Sequence, residues 1–279
     1  MATPSETRQV AVIGNGIIAF AYTTGEYVLP LIFLGCVELA TAVGTVVWVR
    51  EGSKPKPRNG RSWVSIGLSA WGLDILRERS FVFLVVSRLA FIAGIQVLLG
   101  FYVVFLTRVF AFGDADKAFW VPVIGIVVAL FTAAATIPSG IVSNRIGRKP
   151  LIYLAAAVGS IGLLIAGLAP SPLVLLVGAT LIGIGSGTFL AVDWALMTDI
   201  IPKASSGRFM GISNLAVGLA GPVAALVAGP IIDIVGGAAE TGDGPRAAFL
   251  AGVAFFVLAA VFLRPVDPRP REARATAAA

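Results

Sequence analysis

Apolar runs long enough to cross a bilayer recur along this chain, separated by short polar stretches. Eight stand out, at about 9–24, 27–49, 81–107, 119–142, 150–169, 172–200, 207–236 and 246–264. At a rise of about 1.5 Å per residue, about 20 helical residues span a hydrocarbon core of about 30 Å. Gly, Ala, Leu and Val fill these runs without the period-two alternation of a lipid-facing barrel strand. The pattern therefore predicts an all-α polytopic membrane protein with about eight transmembrane helices. The first run is the shortest and extends to the membrane surface through Arg8.

Between the second and third runs lies the longest polar stretch, 50–80, which opens with Gly52, Pro55, Pro57 and Gly60. Its second half, Val64 to Leu76, returns to apolar residues at helical spacing with Trp63 and Trp71. A basic linker followed by a short surface helix is expected there. The organisation read from the sequence is two helices within 1–49, the linker 50–80, a six-helix block 81–264 and a disordered tail 265–279 rich in Pro, Arg and Ala.

Composition agrees with this pattern. Hydrophobic residues make up 57% of the 279 positions and charged residues only 13%, about half the charged share of a soluble domain. The net charge of +6 does not point to nucleic acid, because the basic residues cluster in alternate loops. With the amino terminus inside, only Arg108, Lys117 and Arg246 fall on the outer side and Arg88 lies within a span; every other Lys and Arg is inside. The positive-inside rule then places both termini in the cytoplasm. The polar first eight residues, leading into further spans, do not form a cleavable signal pattern. Cys36 is the single cysteine and histidine is absent, so His triads, His metal ligands and His proton shuttles are excluded. No phosphate-binding loop, nucleophile–base pair or metal-ligand spacing is present, and neither enzymatic activity nor a cofactor is expected. The stretch Val10–Ala19 contains a GxGxxA spacing, but another membrane-length run follows it instead of a strand and crossover, so Gly14 and Gly16 are read as helix-packing positions.

Charges and strong dipoles inside spans are costly and mark candidate sites. Arg88 and Asp193 lie on the third and sixth spans, which run in opposite directions, each about seven residues from its inner end. They fall at similar depth, roughly 10 Å in, and are expected to pair across a cavity. Gln96, two turns deeper on the third span, and Asn214 on the seventh are candidate substrate contacts, and Glu38 midway along the second is a candidate proton or helix-bridging site. The seventh span carries Gly221–Pro222 and Gly229–Pro230, expected kink sites because proline leaves a carbonyl without its donor. Gly178, Gly183, Gly185 and Gly187 give the sixth span a small-residue face for close packing.

The connector GIVSNRIGRK, Gly140 to Lys149, joins two spans through a tight basic turn. Gly140 is expected to let two backbones approach and Gly147 to allow the sharp turn, while Asn144, Arg145, Arg148 and Lys149 supply polar groups at a helix end. Asp199, at the inner end of the sixth span, is close enough to meet these arginines.

This connector resembles the cytoplasmic signature G-x-x-x-D-R-x-G-R-[RK] of the major facilitator superfamily, with Asn144 where the family places an acid. The stretch AVDWALMTDIIP from Ala191, followed by GRFMGISNLAVGLAGP, resembles later spans of bacterial members, including relatives of the sugar–cation symporters. The resemblance covers nearly the whole chain. Four spans follow the signature and the long basic loop lies two spans before it, which matches spans five to twelve of a twelve-span fold. It implies a partial major facilitator fold lacking about four amino-side spans, through an internal start or a genuine short form. It further implies a secondary transporter working by alternating access, coupled to protons or another cation, for a small solute such as a sugar or drug-like compound. The third and sixth spans would face the central cavity, and the basic turn would act as a cytoplasmic gate. The implied partners are the bilayer, a small-molecule substrate, a coupling ion and the missing helices or another chain. Asn144 leaves the two arginines to find an acid elsewhere, at Asp199 or Asp193. The alternative is a non-transporting membrane protein that binds a partner or lipid through 50–80.

Overall fold

A computed structural model of the chain describes residues 28–48, 62, 78–201 and 206–267. The expected first span and the linker with its surface helix lie outside the described residues, as does the tail beyond Asp267. Seven helices are present among those described: α1 Val28–Trp48, α2 Arg79–Val109, α3 Asp114–Ile146, α4 Arg148–Gly167, α5 Pro172–Ile200, α6 Ser206–Gly236 and α7 Asp243–Leu263. The seven expected runs from the second onward are recovered with ends displaced by a few residues, and α2 to α7 are each long and apolar enough to cross a membrane. The chain separates into two compact units, Met1–Gly72 and Leu73–Ala279. In the first, α1 holds itself by local bonds, Thr41 donating to the Glu38 carbonyl and Thr45 to the Thr41 carbonyl, each at 2.8 Å.

The second unit is a six-helix bundle built as two triplets. Helix α5 packs against both α3 and α4, while α2 packs against both α6 and α7. Contacts of α4 with α7 and of α2 with α5 join the triplets. Lipid tails are as apolar as leucine, so close packing rather than escape from water holds such helices together. Small residues create the necessary contact. A Cβ on Gly178 would stand 2.6 Å from the Gly162 carbonyl oxygen, and one on Gly185 would stand 3.0 Å from the Ala155 oxygen, both on α4. A Cβ on Gly183 would meet the Val128 oxygen at 2.8 Å, and one on Gly187 would collide with the Thr132 oxygen, both on α3. The expected single glycine face of α5 is thus two faces, one for each neighbour. The spacing explains this: Gly178 and Gly185 are seven residues apart, and Gly183 and Gly187 four apart, on different sides of the helix.

Aromatic rings lock the two triplets together. Phe91 of α2 stacks on Phe189 of α5 with centroids 3.8 Å apart, and Phe256 of α7 meets Phe91 edge-on at 5.1 Å. The Phe256 ring fits between Gly94 and Gly159, where any Cβ would lie within 3.0 Å of it. Near the other end Phe105 stacks on Phe249 at 4.8 Å, and Arg246 donates to the Gly167 and Ala169 carbonyls at the end of α4.

Candidate site at the junction of the two triplets

Arg88 and Asp193 come together. Arg88 Nε lies 3.3 Å from Asp193 Oδ2, and the two side chains are 2% and 0% exposed. The antiparallel course of α2 and α5 brings them to one level, and the Phe91–Phe189 stack continues the same contact about one turn deeper. Arg88 also donates to Ser213 Oγ of α6 at 2.7 Å and covers the Trp194 ring at 4.7 Å. The guanidinium therefore links three helices. Both side chains are buried where α2, α5 and α6 meet, with the Trp194 ring against the guanidinium.

The carboxylate is poorly satisfied. Both oxygens of Asp193, and Nε of Arg88, lack a hydrogen-bond partner among the described residues. Such a pair is held by charge without well-aligned hydrogen bonds. A buried pair of this kind contributes little net stability, because the desolvation of both ions offsets their attraction. Its value lies in what changes when one partner is neutralised or displaced.

The other expected site residues are placed differently. Gln96 is half-buried, and its Nε2 would lie 3.3 Å from a Cβ on Gly221 of α6, so it faces the Gly221–Pro222 step. Asn214 is exposed, on the opposite side of α6 from the buried Ser213. Glu38 is exposed on α1. Helix α6 runs unbroken through Pro222 and Pro230, while Gly229 has open space around it. Sequence reading passed over Pro122 and Pro138 inside α3. It also missed Ser213, although Phe209, Ser213, Ala216, Ala220, Ala224, Ala228 and Ile232 form one buried stripe at helical spacing.

The basic connector folds into a one-residue break. Gly147, between α3 and α4, has φ +92°, where a Cβ is strained, and its N–H caps the Ser143 carbonyl at 3.1 Å. Arg148 forms an ion pair with Asp199 and donates to the Ala195 carbonyl, both at the end of α5. Lys149 donates to the carbonyls of Arg264 and Val266 at 2.6 and 2.9 Å, just past the end of α7. Two adjacent residues thus fasten the start of α4 to the ends of two other helices. Two expectations need correction. Gly140 does not serve a close approach within the bundle, since a Cβ there would meet nothing within 4 Å; the close contacts of α3 with α5 run through Val128 and Thr132. Among the described residues Arg145 pairs with no acid, because it still belongs to the last turn of α3 and is exposed, as is Asn144.

Comparison with known proteins supports the architecture. Residues 120–279 match the family model described as Major Facilitator Superfamily. The inner membrane transport protein YajR of Escherichia coli is 36% identical over 112 residues, covering 39% of this chain and 24% of that protein. A probable 4-methylmuconolactone transporter of Cupriavidus pinatubonensis is 28% identical over 181 residues, covering 65% of this chain and 36% of its own length. The vacuolar basic amino acid transporter 2 of Saccharomyces cerevisiae is 26% identical over 133 residues, covering 48% of this chain and 26% of its length. The matched region thus spans about a quarter to a third of these relatives. The family match covers more than half of the chain, running from within α3 through the basic connector and past α7: this chain belongs to the major facilitator superfamily.

Proposed function

We propose that the chain supplies the six-helix half, and part of the other half, of a secondary transporter in a bacterial plasma membrane. Its termini lie in the cytoplasm, and movement of a small solute such as a sugar or drug-like compound is coupled to protons or another cation. The observation that carries this reading is the buried Arg88–Asp193 pair, whose carboxylate oxygens lack hydrogen-bond donors among the described residues. Protonating Asp193, or bringing a cation to it, would free Arg88 from the carboxylate, leaving it on Ser213 and Trp194, and loosen the contact between α2 and α5. A carrier of this fold alternates access by moving one six-helix half against the other, with the third and sixth expected spans, α2 and α5, facing the cavity between them. The connector acts at the cytoplasmic end: Arg148 on Asp199 and Lys149 on the α7 terminus hold the helix ends in one state and release them in the other. Pro222 and Pro230 each leave a carbonyl of α6 without its helical donor, so α6 can bend there, and Gln96 beside the first offers the substrate a polar contact. The relatives' names range over a lactone and basic amino acids, so the substrate class is left to experiment. The test is uptake of a panel of labelled small solutes by cells expressing the gene from its native locus, against a deletion strain. Uptake lost on deletion and abolished by a protonophore supports coupled transport; a panel with no difference between the strains counts against it.

A further inference from the structure

A groove of about 280 Å³ runs along the outer face of the bundle between α4 and α7, away from the charge pair. Tyr153, Ala156, Ala157 and Ser160 form its α4 wall, and Phe256, Val257, Ala260, Val261 and Arg264 its α7 wall. The floor is smooth because alanines occupy the positions where larger side chains would fill it, and the buried Phe256 closes its inner end. Exposed Leu154, Ile161, Val257 and Val261 border it, so the groove opens onto a surface built for hydrocarbon. One end is different in kind. The exposed Arg264 guanidinium and the Tyr153 hydroxyl sit there, and neither makes a hydrogen bond or ion pair among the described residues. The amino end of α4 lies at the same level, and a helix start favours an anion. Lys149 bonds the Arg264 and Val266 carbonyls and is offset by the nearby Asp267 carboxylate, so Arg264 is the uncompensated positive group at this end.

We infer that this groove binds one anionic phospholipid, with an acyl chain along the alanine floor and the phosphate on Arg264 and Tyr153. Charge complementarity selects this occupant over a zwitterionic lipid or a second helix: the groove is apolar along its length and basic at one end only. A methylene is close in size to a water molecule, whose share of liquid volume is about 30 Å³, so the groove holds on the order of ten methylenes of one chain. The headgroup then lies at the membrane surface where arginine and tyrosine are at home.

The experiment is native mass spectrometry of the purified chain equilibrated in detergent with equal amounts of phosphatidylglycerol and phosphatidylcholine of matched chains. One retained phosphatidylglycerol, favoured about tenfold, is expected: both lipids offer a phosphate to Arg264, but only phosphatidylcholine brings a quaternary ammonium against that cation. Arg264→Gln removes the preference without unfolding the chain, because Arg264 is exposed. Ala157→Phe, which fills the groove from its exposed rim, removes retention of both lipids. Equal retention of the two lipids, a preference unchanged by Arg264→Gln, or a lipid-free dimer abolished by Ala157→Phe would each overturn the assignment, the last by placing a second copy of the chain in the groove.

Discussion

Replacing Arg88 by Met removes the one countercharge that pairs with Asp193 among the described residues while nearly keeping side-chain volume. At 3.3 Å the two charges attract by about 5 kcal/mol if an effective dielectric of about 20 applies. Most of that attraction offsets the desolvation of both ions. Removing one partner leaves the other's desolvation unopposed, which costs about 3–5 kcal/mol. Replacing both, as Arg88→Met with Asp193→Leu, removes the two penalties together and should cost far less than either single change. The bundle is therefore expected to show a coupling of at least about 3 kcal/mol in a double-mutant cycle. The assay is reversible unfolding in mixed micelles followed by tryptophan fluorescence, with Trp194, 4.7 Å from Arg88, as a local reporter. A coupling below about 0.5 kcal/mol would refute the reasoning, because it is what solvent-exposed ion pairs give.

Three further outcomes follow from the packing and the connector. Gly187→Ala should destabilise the bundle by about 1–3 kcal/mol, since the new Cβ collides with the Thr132 carbonyl, whereas Gly140→Ala should be neutral or stabilising by up to about 1 kcal/mol; the same unfolding assay decides both. Ser213→Ala removes a hydrogen bond to a buried cation and should cost about 1.5–3 kcal/mol, while Asn214→Ala on the exposed side should change stability by less than about 0.5 kcal/mol. Lys149→Met frees the carbonyls at Arg264 and Val266, so hydrogen exchange at the end of α7 should rise while exchange in the middle of α7 stays unchanged.

The helices were legible because length and hydropathy are nearly sufficient to define a span. The depth match of Arg88 and Asp193 was legible too, since counting residues from two inner helix ends sets both levels. Their surroundings were not. Whether a pair faces an opening or a packed seam depends on which helices neighbour it, and residue counts carry no such information. Ser213 was missed in favour of Asn214 because the stronger dipole drew the reading; the one-residue difference turns a side chain by about 100° and moves it from core to surface. Gly140 was misjudged for the same reason. A glycine in a signature suggests close approach, but its phase on α3 points it away from α5. Arg148 was correctly directed to Asp199, because the two lie at helix ends on the same side of the bundle, whereas Arg145, three residues earlier, still follows the phase of α3.

The central claim is that Asp193 couples ion movement to solute movement. The most direct measurement compares two modes of transport in proteoliposomes, using the solute found by the uptake panel and the protein expressed from its native locus. In the unaltered protein, solute should accumulate against its gradient when a proton or cation gradient is imposed, and labelled solute should also exchange with unlabelled solute without one. Asp193→Asn keeps the shape of the side chain but cannot exchange a proton or carry the charge. The account predicts that exchange persists and gradient-driven accumulation is lost. Undiminished accumulation in Asp193→Asn, at equal protein in the membrane, would contradict it.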